Sequence, residues 1–377
     1  MKKFLTLLFA ALMALSISGL FACSVKDENS EKPVAPTTDE EYLNYTFNES
    51  DNGYTVAVKN SAYLPSDVEI PSEYRGKQVI KIKEYGFNNC VNLVKVKLPE
   101  SIEEIGDYAF GGCSSLKQIE LPGGLSKIGN SAFYDCSELK DIVIPENVTE
   151  ISDRAFAYCS SLKEIALPDL CERVGEYAFY KCTSLKTLIL SESIRYLGYS
   201  AISDCKALSF NEFENGYYLG SENNRYVALI RAEVNGSSFK IHDDAYIIYS
   251  SAFENFGGEF SVQLGENIVF IGNNAFKNCS ALTPFELPIH TQYIGDYAFY
   301  GCVEINTITI PSEVNYIGSY AFIKCPLEKA FFNEVNGWSV SKGNVQRSPK
   351  PEALADPDWA ASTLSSTTYQ DYIWYRK

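Results

Sequence analysis

Between Leu93 and Leu116 the chain reads Leu93-x-x-Val96-x-Leu98-Pro99, then Ile105-Gly106, Ala109-Phe110 and Cys113, and the phrase starts again at Leu116. Phe87, Phe110, Phe133, Phe156, Phe179 and Ile202 stand 23 residues apart, and Cys90, Cys113, Cys136, Cys159, Cys182 and Cys205 each follow three residues later. A fixed period of this length marks a solenoid, because one such coil can bury its apolar side only against its neighbours. The period also sets aside the two or three domains that 377 residues would otherwise suggest.

Each coil has a physical logic. In Leu116-Lys117-Gln118-Ile119-Glu120-Leu121-Pro122 the pair Ile119 and Leu121 faces one way and the polar residues the other, the pattern of a short strand ended by a proline that cannot donate to a ladder. Gly106, Gly129, Gly175, Gly198, Gly272, Gly295 and Gly318 recur after the next isoleucine position, and a turn with positive φ is expected there. Ser152 breaks that column. Ala132, Phe133 and Cys136 fill the far side. Strands stacked in register predict a parallel sheet with a spacing of about 4.8 Å.

The count fails after Cys205: Ile202 to Phe253 is 51 residues, read as one coil of altered length over about 206–250. Phe253, Phe276, Phe299 and Phe322 restore the step. All three tryptophans, Trp338, Trp359 and Trp374, follow the last regular coil, as closing an open sheet end requires. The expected organisation is a signal segment at 1–22, a tether at 23–41, an N-terminal cap at 42–81, a solenoid at 82–330 and a C-terminal cap at 331–377.

The first 22 residues differ in kind. Lys2 and Lys3 precede an apolar run from Phe4 to Leu15, followed by small residues, which describes an export signal. Leu20-Phe21-Ala22-Cys23 resembles the bacterial lipobox, which implies Cys23 as a lipidated first residue of the mature chain. Plain cleavage without a lipid is the alternative. Residues 24–41 are polar and proline-bearing, too poor in large apolar groups to order themselves. Removing Lys2 and Lys3 takes the formal charge from −16 to −18. A surface that acidic, with no basic block, argues against nucleic acid and anionic headgroups as partners, leaving the N-terminal lipid as the membrane contact.

The repeated phrase over residues 82–325 is similar to the BspA-like class of bacterial leucine-rich repeats. Tyr217-Tyr218-Leu219-Gly220 with Tyr226-Val227-Ala228-Leu229-Ile230 also resembles that family's insertion, and the tail near Asp356-Pro357 and Trp374-Tyr375 resembles its terminus. The resemblance implies a leucine-rich repeat solenoid, a surface or secreted location and, for some members, adhesion to host matrix proteins. It carries over no catalytic residue. The asparagine ladder of the commonest leucine-rich repeats is missing at its usual place, where Gly124 stands.

Chemistry is sparse. Nine cysteines lie on one column, three after the phenylalanine, and read as small buried apolar groups that stay reduced. Cys171 falls outside it and reads as an exposed thiol. His242 and His290 stand in unrelated coils. No nucleophile elbow, Walker loop, HExxH or calcium loop occurs, no carboxylate pair stands out, and nothing calls for a metal or cofactor. The reading is therefore a monomeric binding protein, not an enzyme. Its candidate surface is the column before each inward isoleucine, charged in the first half (Glu104, Lys127, Glu150, Arg173) and aromatic in the second (Tyr196, Phe270, Tyr293, Tyr316). A second partial column includes Tyr85, Tyr108, Tyr177, Tyr297 and Tyr320. Tyrosine supplies large contact area with few rotors to freeze. The expected ligand is a protein or glycan at the cell surface, including host matrix. A structural role in the envelope or in cell contact is the alternative, and a surface glycan-acting enzyme the third.

Overall fold

A computed structural model describes residues 39–376, and Tyr42–Lys377 form one compact unit. The unit is a β-solenoid of about 12 turns. Cys23, the signal segment and the expected tether up to residue 38 lie outside the described residues, and the tether's last three residues belong to a short helix, Asp39–Tyr42.

Most regular coils contribute two short strands. One, such as Lys95–Lys97 or Gln118–Glu120, pairs in parallel with its counterpart in the next coil and alternates exposed, buried, exposed. The other, such as Glu104–Ile105 or Lys127–Ile128, builds a second parallel ladder. The sheet expected from the sequence is thus two ladders, one on each side of the coil, and both are interrupted along their length. The short strands of the regular coils are held in register by an inward side chain, Ile105 or Ile119 for instance, both almost fully buried.

The expected positive φ is misplaced in the sequence reading. None of the seven column glycines has it; it falls two residues later, at Tyr85, Tyr108, Tyr177, Tyr297 and Tyr320, with φ between 53° and 61°. The glycines serve close approach instead: a Cβ on Gly129 would lie 2.6 Å from the backbone nitrogen of Asp107 in the preceding coil. The left-handed residues turn alternate backbone N–H groups outward. Those of Tyr108, Phe110 and Gly112 donate to Asn130, Ala132 and Tyr134 of the next coil at 2.7–2.8 Å, while those of Ala109, Gly111 and Cys113 close local turns. That stitching meets the hydrogen-bonding demand of buried backbone on the turn side, where no strand exists.

Phenylalanines form the core axis. Rings from Phe87 to Phe179 stack with centroids 5.2–5.6 Å apart, and Phe253 to Phe322 repeat the arrangement at 4.8–5.4 Å. The cysteines beside them are buried and unbonded to one another. They are not merely apolar, as the sequence suggested. The Cys136 thiol donates to the Phe110 carbonyl one coil earlier at 3.2 Å, and seven others repeat this contact. Burial pushes the thiols of Cys205, Cys279 and Cys325 up to about 12, so thiolate, the species that attacks disulfides, is scarce near neutral pH. Thiol titration of the denatured protein, purified without reductant and blocked against exchange, is expected to find most of the column free. Recovery of one or two thiols would contradict it. Cys171 corrects the reading in the other direction: it is fully buried, donates to the Arg173 carbonyl at 3.4 Å and has its thiol raised by burial to about 11.

The irregular stretch is not a single altered coil. Asn211–Phe213, Gly216–Leu219 and Ala228–Ala232 run antiparallel to one another, and the last then pairs in parallel with Ile247–Ile248 to restart the ladder. This leaves the turn side of the coil around Ile202 without a regular successor. Tyr249, standing where other coils have glycine, fills the space: it is 5% exposed, and its hydroxyl accepts the Ile202 N–H at 3.4 Å. At the C-terminus the parallel ladder ends when Ile373–Arg376 pairs antiparallel with Tyr316–Ile317 and with Trp338–Lys342. Trp338 and Trp374 are buried there. The helix Pro357–Leu364, capped by Asp356, packs on Lys329–Phe332.

Candidate functional site: a concave aromatic strip

The second ladder carries the site. The residues before its inward aliphatic positions are Arg173 and Tyr196 in the first half and Phe270, Tyr293 and Tyr316 in the second; Phe270 is only 2% exposed, and the three tyrosines are half-buried around it. Tyr196 ends the ladder of the first half, whereas Phe270 stands on the ladder of the second, one strand beyond Ile247. Their rings nonetheless lie 5.1 Å apart, and the Tyr196 ring is 5.5 Å from that of Tyr293. Parallel strands in a flat sheet separate by about 4.8 Å per step, so contact across several strands requires the ladder to bend toward this face. The site is the inside of that bend.

Phe270, Tyr293 and Tyr316 stack face to face, with centroid separations of 4.7 and 4.3 Å, and Tyr196 meets the first two edge-on. The Arg173 guanidinium covers the other side of Tyr196 at 3.8 Å, a cation–π contact. Ring faces are therefore largely spent on each other, and the strip presents edges and hydroxyls. Burial pushes the Tyr316 hydroxyl up to about 12, and raises that of Tyr293 further with the help of Tyr316, Tyr196 and Asp296.

Two half-buried carboxylates border the rings. Glu176 is raised above its ordinary range by desolvation first, then by the nearby charges of Asp153 and Asp296; Arg154 and Arg173 oppose this. Asp296 is raised by desolvation, against the hydrogen bond its Oδ1 accepts from the Ser319 N–H at 2.7 Å. Both stand just after the glycine position of their coils, and parts of the column there work as an Asx ladder. Asp107 accepts from the Asn130 N–H, Asp153 from Glu176 and Asn273 from Asp296, at 2.8–2.9 Å. The sequence reading sought an asparagine ladder after the strand and missed this one. Its signal was visible in Asp107, Asn130 and Asp153, 23 residues apart.

Of the six aromatic residues expected to form the binding surface, the structure gathers Tyr196, Tyr293 and Tyr316 at a half-buried face, with Phe270 buried beneath them instead of exposed. Tyr297 and Tyr320 form a separate stack, 4.5 Å apart and parallel within 2°, on the left-handed turn. Asp296 lies close to both stacks. The histidines stand apart from the strip: His242 packs on Tyr226 at 4.0 Å, and His290 pairs with Glu313 at 3.0 Å. Among the described residues no group of three metal-ligating side chains converges, and no helix is long and apolar enough to cross a membrane.

The chain matches no curated protein. Among solved structures it is similar to a leucine-rich cell surface protein of Faecalibacterium prausnitzii, at 27% identity over 78% of this chain and 94% of that one, with a TM-score of 0.44. A leucine-rich repeat protein of Bacteroides ovatus gives 24% identity over 78% and 87%, with a TM-score of 0.35. The pneumococcal vaccine antigen PcpA gives 22% over 78% and 80%, with a TM-score of 0.37. The family model described as BspA type leucine-rich repeat region matches residues 77–215 and 232–339 in six copies. With that match covering well over half its length, and with coils built on the period that defines such repeats, the chain belongs to the BspA-type leucine-rich repeat family.

Proposed function

We propose that the protein is exported, held at the cell surface by a lipid on Cys23, and binds a protein ligand there through its concave strip, adhesion to host matrix being one form of that role. The supporting observation is the convergence of Tyr196, Tyr293 and Tyr316, half-buried around the buried Phe270, from both sides of the irregular stretch. Concave repeat surfaces are where solenoids bind extended partners, and clustered tyrosines are characteristic of interface hot spots. The reading assigns no reaction to the chain.

Residues 42–377, free of the tether, are the reagent for the test. Titrated against immobilised matrix proteins and glycans, they are expected to bind a protein saturably, and Tyr316→Ala is expected to weaken that binding at least about tenfold, the scale of an interface hot spot. No saturable protein ligand, or one indifferent to Tyr316→Ala, would leave the envelope-structural role as the better reading. Turnover of a glycan would favour the third.

Location is tested separately. Cys23→Ala is expected to move the full chain from the detergent phase to the aqueous phase on phase partitioning, because one or more acyl chains supply the membrane affinity. Equal partitioning of both proteins would remove the lipid.

A further inference from the structure

The strip carries more information than its aromatic content. Glu176 and Asp296 belong to coils on opposite sides of the irregular stretch, yet Glu176 senses the charge of Asp296, and Tyr316 senses both. Among the described residues neither carboxylate forms an ion pair with a lysine or arginine, although many exposed acids of this chain do. Between them in the Asx column stands Ser250. It is 8% exposed, and its Oγ is the one buried side-chain oxygen or nitrogen without a hydrogen-bond partner among the described residues. The strip thus borders its rings with two partly desolvated carboxylates; Asp296 accepts the Ser319 N–H, Glu176 has no such bond among the described residues, and the hydroxyls of Tyr196, Tyr293 and Tyr316 bond to one another and, at Tyr196, to Arg173. A cation with several N–H groups complements two such carboxylates, and desolvated acceptors gain most from a charged donor.

Resting on the concave-face reading above, we infer that the strip recognises a basic, arginine-bearing segment of its protein partner, whose guanidinium lies against the tyrosine edges between Glu176 and Asp296. Arg173 already shows within the chain that a guanidinium seats on this aromatic row, at 3.8 Å from the Tyr196 ring. Arginine suits the site better than lysine because its planar fork reaches two acceptors at once. The formal charge of −16 draws a basic segment in over long range. Charge alone would not select this face, however, because exposed acids on the other ladder are drawn into the same field.

The test uses residues 42–377 and three fluorescein-labelled nine-residue peptides: one rich in arginine, a serine-glycine peptide and a glutamate-rich peptide, followed by fluorescence anisotropy. The arginine peptide is expected to bind saturably and the other two not to. Glu176→Gln with Asp296→Asn is expected to weaken it at least tenfold. A control removing the same charge from the other ladder, Glu120→Gln with Glu164→Gln, is expected to change it less than twofold. Equal losses in both double variants would mean diffuse attraction to an acidic surface and would overturn the inference, as would equal binding of the serine-glycine peptide. The two readings fail separately. If Tyr316→Ala abolishes binding of a matrix protein and the Glu176/Asp296 variant leaves it intact, the concave face stands and the basic segment falls. If neither variant alters that binding, both fall.

Discussion

Phe156→Ala is expected to lower the stability of the solenoid by about 3–5 kcal/mol, the range for emptying a fully buried aromatic site. The residue is completely inaccessible, with its ring 5.3 Å from that of Phe133 and 5.6 Å from that of Phe179, parallel within 5° of each. Its backbone is bonded to Ala178 at 2.8 Å, and its carbonyl accepts from the Cys182 thiol at 3.1 Å. Neighbouring coils are fixed by the same bonds and cannot close in, so the void persists and the lost contacts are not recovered. Lys163→Ala, exposed on the other ladder, is expected to cost less than about 0.5 kcal/mol. Urea unfolding of the two variants checks the contrast, and coincident midpoints would contradict the inward and outward columns.

Tyr249 is expected to be the second position of comparable weight. Tyr249→Ala removes a buried ring from the joint between the halves and strands the Ile202 N–H, at an expected cost of about 3–5 kcal/mol. Tyr249→Phe keeps the ring and loses only the hydroxyl that accepts from Ile202 at 3.4 Å, at an expected cost of about 1–3 kcal/mol for the unsatisfied donor. Denaturant unfolding of the two, with hydrogen exchange at Ile202, separates filling from bonding. Faster exchange in both, with a large stability loss only in the alanine variant, is the expected result; equal midpoints for the two would show that Tyr249 does not hold the joint by packing.

The solenoid was legible because its determinants are local and repeated. Phe133 and Cys136 recur with a period that only stacking explains, and Trp338 and Trp374 mark the end that needs covering. The misreading of the glycine column has a plain cause. Glycine admits both positive φ and close approach, and the sequence does not say which is in use; Tyr108 carries the positive φ while Gly106 makes room for the previous coil. The aromatic column was legible as a column, from spacing alone. Its joining with Glu176 and Asp296 was not, because that depends on how far the ladder bends where the antiparallel strands at Gly216–Leu219 and Ala228–Ala232 interrupt it. Bending accumulates from the packing of residues such as Tyr249 and Ile247, which no periodic signal marks.

The thiol contact gives the stack a grammar of its own. Each coil offers the carbonyl of its phenylalanine forward and receives it with the cysteine of the next, Phe133 to Cys159 and then Phe156 to Cys182. Every seam in the regular array is thus the same seam, and any coil can follow any other. Length in this region is quantised: the gene can gain or lose material in units of 23 codons and leave every donor facing an acceptor, whereas a gain of one residue between Phe156 and Cys159 disturbs the seams on both sides. Such a chain changes reach by copying whole coils. The irregular stretch, having no twin, fixes where along that variable length the bend occurs.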